Sequence, residues 1–132
     1  APLGGISGNH FQFIDGDPVL VLSGDGGKHV LGRVDRKELT VKARSSESVF
    51  HSTKIWYQDN ALYAVGETSG QSTLCRFNTN LVLTAKSDTV VFPDTQLAFA
   101  EGKVYCTVIQ GNQNSHVIVL RQSNLQRILV LR

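Results

Sequence analysis

The sequence of 132 residues predicts an all-β fold built from three repeated units. Apolar and polar residues alternate over short runs, as they do in strands that bury one face. Gly, Asn and Asp interrupt these runs roughly every 8–12 residues, which is typical of strands joined by hairpins. No stretch combines the helical period of about 3.6 residues with the residues that begin and end a helix.

The chain matches itself when it is shifted by about 42 residues. The matched positions include three acidic residues near predicted turns (Asp17, Asp59 and Glu101) and the apolar sets Leu20, Leu62, Val104 and Val21, Tyr63, Tyr105. Such a repeat indicates supersecondary units that bury their apolar faces against one another. We therefore expect an N-terminal extension at 1–9 and a single repeat domain at 10–132, with units of about 10–52, 53–94 and 95–132.

Each unit is predicted to contain four short antiparallel strands. The predicted strands are 11–14, 19–23, 29–35 and 39–44 in the first unit, 54–58, 61–65, 72–77 and 81–86 in the second, and 96–99, 104–109, 116–121 and 125–131 in the third. A loop is predicted at 66–71. Aromatic residues at alternating strand positions are assigned to the core, namely Phe13, Tyr63, Phe77, Phe99 and Tyr105.

Three four-stranded units are compatible with a β-propeller or a β-trefoil. The predicted turns between third and fourth strands, at 35–38 and 78–80, are short, whereas the links between units, at 45–50 and 87–94, are longer. This pattern favours a meander whose chain then crosses to the next blade. The propeller is therefore preferred, and the trefoil stays open as the alternative.

Two segments resemble blades of the quinoprotein-like bacterial β-propellers: DNALYAVGETSGQSTLCRFNTNLVLTAKS at 59–87 and EGKVYCTVIQGNQNSHVIVLRQSNL at 101–125. The resemblance extends over nearly the whole chain from Phe11 onward and concerns blade architecture. It implies a ring of four to eight blades, so that three blades require a protein partner or a second copy of the chain. The Trp docking motif of the quinoproteins is absent, because Trp56 is the only Trp, and we expect no cofactor. Because propellers of this kind are commonly periplasmic or secreted, the resemblance favours an extracytoplasmic location.

Composition and charge argue against several classes of partner. Thirteen basic and eleven acidic residues give a net charge of +2, without the dense basic stripe that nucleic-acid binding requires. No run approaches the roughly 20 apolar residues of a membrane span. Cys75 and Cys106 lie in apolar runs and are expected to be buried thiols, although a disulfide between them stays open.

No catalytic or metal-binding motif stands out in the sequence. The glycine-rich segment 24–28 ends in Lys28 like a phosphate loop, but His29 and a predicted strand follow it, where a phosphate loop has Ser or Thr and a helix. The spacing of His10, His29, His51 and His116 does not match a zinc site. We expect Asp17, Asp59 and Glu101 to stabilise turns.

These observations predict a non-catalytic binding or protein-interaction module that presents loops at one face. The loops between second and third strands differ most among the units, so the candidate binding residues are Asp25, Lys28, Asn112 and Asn114. Two alternatives stay open, because a fold alone does not determine function. One is a portion of a propeller enzyme whose active site is completed by other blades, and the other is a trefoil lectin or protease inhibitor.

Overall fold

A computed structural model describes residues 6–110 and 114–131 of the chain, with backbone alone for 6–9, 25, 109–110, 114–115 and 131. Twelve strands within these residues form three antiparallel four-stranded sheets, and in each sheet neighbouring strands follow one another along the chain. The all-β prediction and its three four-stranded repeats are therefore confirmed.

Each predicted strand overlaps an observed strand, although individual bounds differ by up to five residues. The first sheet contains β1 (Ile6–Ile14), β2 (Asp17–Ser23), β3 (His29–Val34) and β4 (Val41–Arg44). The second contains β5 (Ile55–Gln58), β6 (Ala61–Thr68), β7 (Gln71–Phe77) and β8 (Leu83–Val90). The third contains β9 (Ala98–Ala100), β10 (Lys103–Gln110), β11 (Asn114–Arg121) and β12 (Arg127–Leu131). Strand β1 thus begins inside the segment predicted as an extension.

The first hairpin of each sheet turns through two residues with positive φ, as type I′ turns require. These pairs are Asp15–Gly16 (φ 50° and 86°), Asp59–Asn60 (51° and 61°) and Glu101–Gly102 (52° and 74°). Asp17 is instead the first residue of β2 and pairs with Ile14. The sequence match of Asp17 with Asp59 and Glu101 was therefore wrong, and Asp15 occupies the equivalent position. The matches of Leu20 with Leu62 and of Val21 with Tyr63 were wrong by the same two residues, so that Val19 is the equivalent of Tyr63.

The turn between the third and fourth strands places a leucine in the left-handed region in every sheet. The N–H of this leucine donates to a carbonyl at the start of the turn: Leu39 (φ 57°) to Asp35 at 2.8 Å, Leu81 (φ 64°) to Asn78 at 2.9 Å and Leu125 (φ 59°) to Arg121 at 2.7 Å. This conformation is rare for a bulky residue. Its recurrence identifies the three leucines as equivalent.

The chain passes directly from one sheet to the next at two equivalent crossovers. The N–H of Val49 donates to the His29 carbonyl of the first sheet at 2.8 Å, and the N–H of Phe50 donates to the Val65 carbonyl of the second at 2.9 Å. At the next boundary, Val91 donates to Ser72 at 2.8 Å and Phe92 to Thr107 at 3.1 Å. Each link between units is therefore hydrogen-bonded to both sheets that it joins.

Four buried hydroxyl groups stabilise these crossovers and repeat between the units. Each oxygen accepts a bond from a strand N–H: Ser45 from Leu31 at 2.9 Å, Ser87 from Leu74 at 3.0 Å, Thr53 from Val65 at 2.8 Å and Thr95 from Thr107 at 2.9 Å. Because buried N–H groups must find acceptors, these side chains are part of the repeat itself.

The apolar core consists of two layers that lie on either side of the second sheet. The layer next to the first sheet contains Ile14, Val19, Val21, Leu31, Val49, Ile55, Leu62, Ala64, Cys75, Phe77 and Leu81. The layer next to the third contains Ala61, Tyr63, Val65, Leu74, Val91, Val104, Cys106, Val108, Ile118, Leu120 and Leu125. Both faces of the second sheet are covered, which explains why strand β6 is continuously apolar over 61–65.

The loop predicted at 66–71 is shorter in the structure, because β6 continues to Thr68 and turns through Ser69 and Gly70. Gly66 is a buried strand residue at a close backbone approach. A Cβ atom at this position would lie 2.6 Å from Cys75 Sγ. The glycine therefore serves packing between neighbouring strands.

Candidate functional site

The sequence-predicted binding residues belong to loops of two different sheets. Asp25 lies in the short 3₁₀ turn Asp25–Gly27, and Lys28, which is exposed, follows it. Asn114 is the first residue of β11, whereas Asn112 lies outside the described residues. Asp25 and Lys28 thus follow a strand of the first sheet and Asn114 begins a strand of the third, with the second sheet packed between these two sheets.

A shallow cleft of about 480 Å³ lies beside Lys28 and is also lined by Ser23, Gly24, Val30, Arg44 and Ser45. Two of its polar side chains already have structural partners. Lys28 Nζ donates to the Ser46 carbonyl at 2.7 Å, and Ser45 Oγ both accepts from Leu31 and donates to Glu47. The cleft presents positive charge but no pairing of a nucleophile with a base.

Asp17 is the centre of an ion-pair cluster at the start of β2. Its Oδ2 accepts from Lys42 Nζ at 2.7 Å and from Arg33 Nη2 at 2.9 Å, and its Oδ1 accepts from the Arg36 N–H at 3.2 Å. The bond from Lys42, together with the bonds from Arg33 and Arg36, lowers the pKa of Asp17 from 3.8 to about 2. The carboxylate therefore stays ionised and holds three chain segments together, which is a structural task.

Both cysteines are free and buried, one in each core layer. Burial raises the pKa of Cys75 to about 11 and that of Cys106 to about 12. Since the thiolate is the nucleophilic form, neither thiol is suited to covalent catalysis at neutral pH. Within the described ranges, no group of three or more His, Cys, Asp or Glu side chains is placed to hold a metal ion.

Each sheet has two faces, which we name from their equivalent positions. On the front face lie the equivalent residues Phe13, Tyr57 and Phe99, one from each sheet, and the equivalent turn leucines Leu39, Leu81 and Leu125. On the rear face lie two other sets of equivalent residues, again one from each sheet: Val19, Tyr63 and Tyr105, and Leu31, Leu74 and Val117. At both internal boundaries, the front of one sheet packs on the rear of the preceding sheet.

The front face of the first sheet exposes residues that are covered in the other two sheets. Phe11 is 61% exposed, Phe13 51% and Leu39 61%. The equivalents of Leu39, which are Leu81 and Leu125, are only 1% exposed. The equivalents of the phenylalanines pack against the two core layers: Ile55 and Tyr57 in the second sheet, and Leu97 and Phe99 in the third. The prediction that Phe13 belongs to the core was therefore wrong.

The exposed part of this front face lies next to the turns after β1 and β3. Phe11 and Phe13 contact each other edge to face, with ring centroids 5.9 Å apart. Leu22 and Val30, which lie farther from these turns on the same face, are buried. The exposed apolar surface is thus a compact patch at one end of the sheet, which we call the front patch (Phe11, Phe13 and Leu39).

The rear face of the third sheet is the opposite end of the stack and is also incompletely covered. Leu129 is 50% exposed, and Tyr105 and Val117 are half-buried. Their counterparts Tyr63 and Leu74 in the second sheet are fully buried. We call Tyr105, Val117 and Leu129 the rear patch.

The internal boundaries show which contacts a front face and a rear face make with each other. At the boundary between the second and third sheets, the rings of Tyr63 and Phe99 have centroids 4.9 Å apart. Near this pair, Gln122 Nε2 donates to Asp59 Oδ2 at 2.9 Å. At the preceding boundary, Arg33 Nη1 donates to the Thr79 carbonyl at 2.9 Å. An apolar contact is thus flanked by polar contacts from the turns.

No protein-family model matches the chain, and a search of curated proteins found no similar sequence. In the part of the chain that the structure describes, no helix is long and apolar enough to cross a membrane. Uncovered outer faces were expected from the sequence, because three blades are too few to close a ring. The residues of the two patches were not identified, because the aromatic positions of all three units were assigned to the core alike. The unequal burial of equivalent residues is the signal that identifies them.

Proposed function

We propose that this chain is a non-catalytic protein-interaction module of the β-propeller type, whose two outer faces accept further four-stranded sheets. The observation that carries the proposal is the exposure of Phe11, Phe13 and Leu39 at positions that neighbouring sheets cover in the other two units. Exposed apolar patches with polar surroundings are typical of protein interfaces. The front patch is therefore suited to receive the rear face of another sheet.

The arrangement of the three sheets supports the propeller over the trefoil. Strands pair in chain order within each sheet, and the crossovers at Val49 and Val91 lead directly to the adjacent sheet. A row of such meanders, packed rear to front, continues naturally into a closed ring. The lectin and protease-inhibitor alternatives were tied to the trefoil and lose support with it.

The polar groups described above support a role without catalysis. Asp17 is held ionised by its cationic partners, and burial keeps both thiols protonated at neutral pH. The loop residues Asp25, Lys28, Asn112 and Asn114 remain a predicted second binding surface, and the extracytoplasmic location remains a prediction. A hydrolase or dehydrogenase turnover that Lys28→Ala abolishes would contradict the non-catalytic assignment.

Site-specific photo-crosslinking tests the interaction surface. A benzophenone amino acid replaces Phe13 in one variant and Val82 in another; Val82 is 57% exposed but belongs to the middle sheet. After irradiation of the purified chain and of an extract from its source, mass spectrometry locates the crosslinked peptides. We expect position 13 to form protein adducts within a β-sheet segment, and Leu39→Ser to reduce them. If position 13 yields no more adduct than position 82 in both samples, the proposal is wrong.

A further inference from the structure

We propose that the partner at both outer faces is a second copy of the chain, so that two chains close a ring of six sheets with twofold symmetry. This inference rests on the proposed function, since it names the partner of the same two faces. In the ring, the rear patch of each chain packs on the front patch of the other. Three properties of the chain lead to this assignment.

The first property is that the uncovered faces are of opposite kinds. Both internal boundaries join a rear face to the front face of the following sheet. The faces without a neighbour in the described chain are the front of the first sheet and the rear of the third. The two ends of the stack therefore form the same type of pair as the internal boundaries. A head-to-tail contact of this kind closes a ring when the rotation permits it.

The second property is the number of sheets in one chain. Propellers typically contain four to eight blades around their axis. The described residues of one chain form three sheets, which is too few, and three such chains would supply nine, which is more than eight. Two chains are the only whole number of copies that falls within this range.

The third property is that specific side chains at the two patches complement each other. Tyr105 occupies the position of Tyr63, and Phe13 occupies the position of Phe99. Because Tyr63 and Phe99 pack with ring centroids 4.9 Å apart, Tyr105 is placed to pack on Phe13 of the second copy. Tilted aromatic pairs of this kind add stability beyond the area they bury.

The charges beside this aromatic pair also complement each other. At the internal boundary, Gln122 donates to Asp59. Glu101 is equivalent to Asp59, because both are the first residue of the turn in the first hairpin of their sheet. Arg36 is equivalent to Gln122, because each follows the first residue of the turn after the third strand. Both side chains are exposed in the single chain. Glu101 of one copy thus meets Arg36 of the other, where opposite charges favour association.

A charge exchange tests this geometry directly. Arg36→Glu places two acidic residues at each contact between identical chains, and Glu101→Arg places two basic residues there. Each variant alone is expected to weaken the dimer on the order of tenfold, because the ring contains two such contacts. When the two variants are mixed, both contacts of the mixed dimer again join opposite charges. The mixture is therefore expected to recover the dimer.

Sedimentation of the purified chain provides the measurement. The wild type is expected at twice the chain mass of 14.4 kDa. Glu67→Arg, which changes an exposed acidic residue of the middle sheet, is the matched control and should leave the dimer intact. Circular dichroism verifies that each variant is folded.

The possible outcomes separate this inference from the proposed function. A wild type that stays monomeric, that forms trimers, or whose charge variants fail to recover on mixing overturns the second-copy assignment. The proposed function survives these results if position 13 crosslinks to a β-sheet of another protein. It fails together with the inference if position 13 crosslinks to nothing.

Discussion

The ring of Tyr63 packs on the ring of Phe99 across the boundary between the second and third sheets, with a centroid separation of 4.9 Å and an angle of 56°. The Tyr63 hydroxyl accepts a bond from Arg76 Nε at 3.2 Å, so the buried ring keeps a partner for its polar end. The same pair of positions at the ends of the stack is occupied by Tyr105 and Phe13. Equivalent residues are therefore expected to contribute differently to the free energy of unfolding, depending on whether a neighbouring sheet covers them.

Phe99→Ala and Phe13→Ala measure this difference at equivalent positions. Phe99 packs against a core layer, so its truncation should lower the free energy of unfolding by about 2–3 kcal/mol, somewhat less than for a fully buried phenylalanine. Phe13→Ala should change it by less than about 1 kcal/mol in the dilute, monomeric chain, because its ring is 51% exposed. Urea unfolding monitored by circular dichroism provides both values. Equal losses would contradict the exposure of Phe13 in the single chain.

The turn leucines provide an independent comparison. Leu81→Ala removes a side chain that is 1% exposed and should lower the free energy of unfolding by about 2–5 kcal/mol. Leu39→Ala keeps the same left-handed backbone but removes a side chain that is 61% exposed, so the loss should stay below about 1 kcal/mol. Thermal unfolding of both variants in dilute solution checks the ranking. A reversed ranking would contradict the assignment of front and rear faces.

Thr53→Val tests the hydroxyl groups at the crossovers. The substitution preserves the shape of the side chain but leaves the buried N–H of Val65 without the acceptor that it now finds at 2.8 Å. We expect a loss of about 1–3 kcal/mol in the free energy of unfolding. Thr68→Val, at an exposed position, should change it by less than about 0.5 kcal/mol. Hydrogen exchange should become faster at Val65 in the first variant alone.

Asp17 should make the stability of the fold depend on acidic pH. Its pKa is about 2 in the folded chain, with 3.8 as the ordinary value, so the unfolded chain binds more protons in this range. The stabilisation is present above pH 3.8 and is lost as the pH falls through about 2. Backbone bonds from Glu38 and Lys37 lower the pKa of Asp35 as well, and this adds to the same trend.

Asp17→Asn and Lys42→Met should both flatten this dependence, because one removes the carboxylate and the other removes its principal hydrogen-bond donor. Urea unfolding at several pH values between 2 and 5 provides the slopes. Slopes equal to that of the wild type would exclude Asp17 as the source.

The two thiols should be unreactive while the chain is folded. Burial raises the pKa of Cys75 to about 11 and of Cys106 to about 12, so the thiolate is scarce at pH 8. A colorimetric disulfide reagent is expected to modify neither thiol in native buffer and both in urea. Rapid modification of either thiol in the native chain would contradict the burial of that cysteine in its core layer.

The strands could be predicted from the sequence because the signals that define them are local. Alternation in segments such as 41–44 and turn residues such as Asn60 and Gly102 determine where a strand lies and where it ends. The repeat of about 42 residues then groups these strands into three units of four, which predicts three sheets. Each of the twelve predicted strands overlaps a strand of the structure.

Features that depend on contacts between sheets could not be predicted in this way. Gly66 has the sequence environment of a loop, and only the approach of Cys75 Sγ explains a glycine inside a strand. The similarity of Asp17 to Asp59 concealed the hairpin at Asp15, because both residue types suit a turn. The exposure of Phe13 depends on whether another sheet lies in front of it, and residue type carries no such information.

The adjacent peptide groups of Val49 and Phe50 belong to different sheets, and this has a consequence for dividing the chain. A cut at the predicted unit boundary, between 52 and 53, would separate Phe50 from its acceptor in the second sheet. Both resulting fragments would then end in unpaired backbone groups. A circular permutant that opens at the exposed turn of Ser69 and Gly70 would preserve both crossovers. A unit chosen for protein engineering should therefore begin and end within a sheet, at a turn such as Ser69–Gly70, and not at the boundary of the sequence repeat.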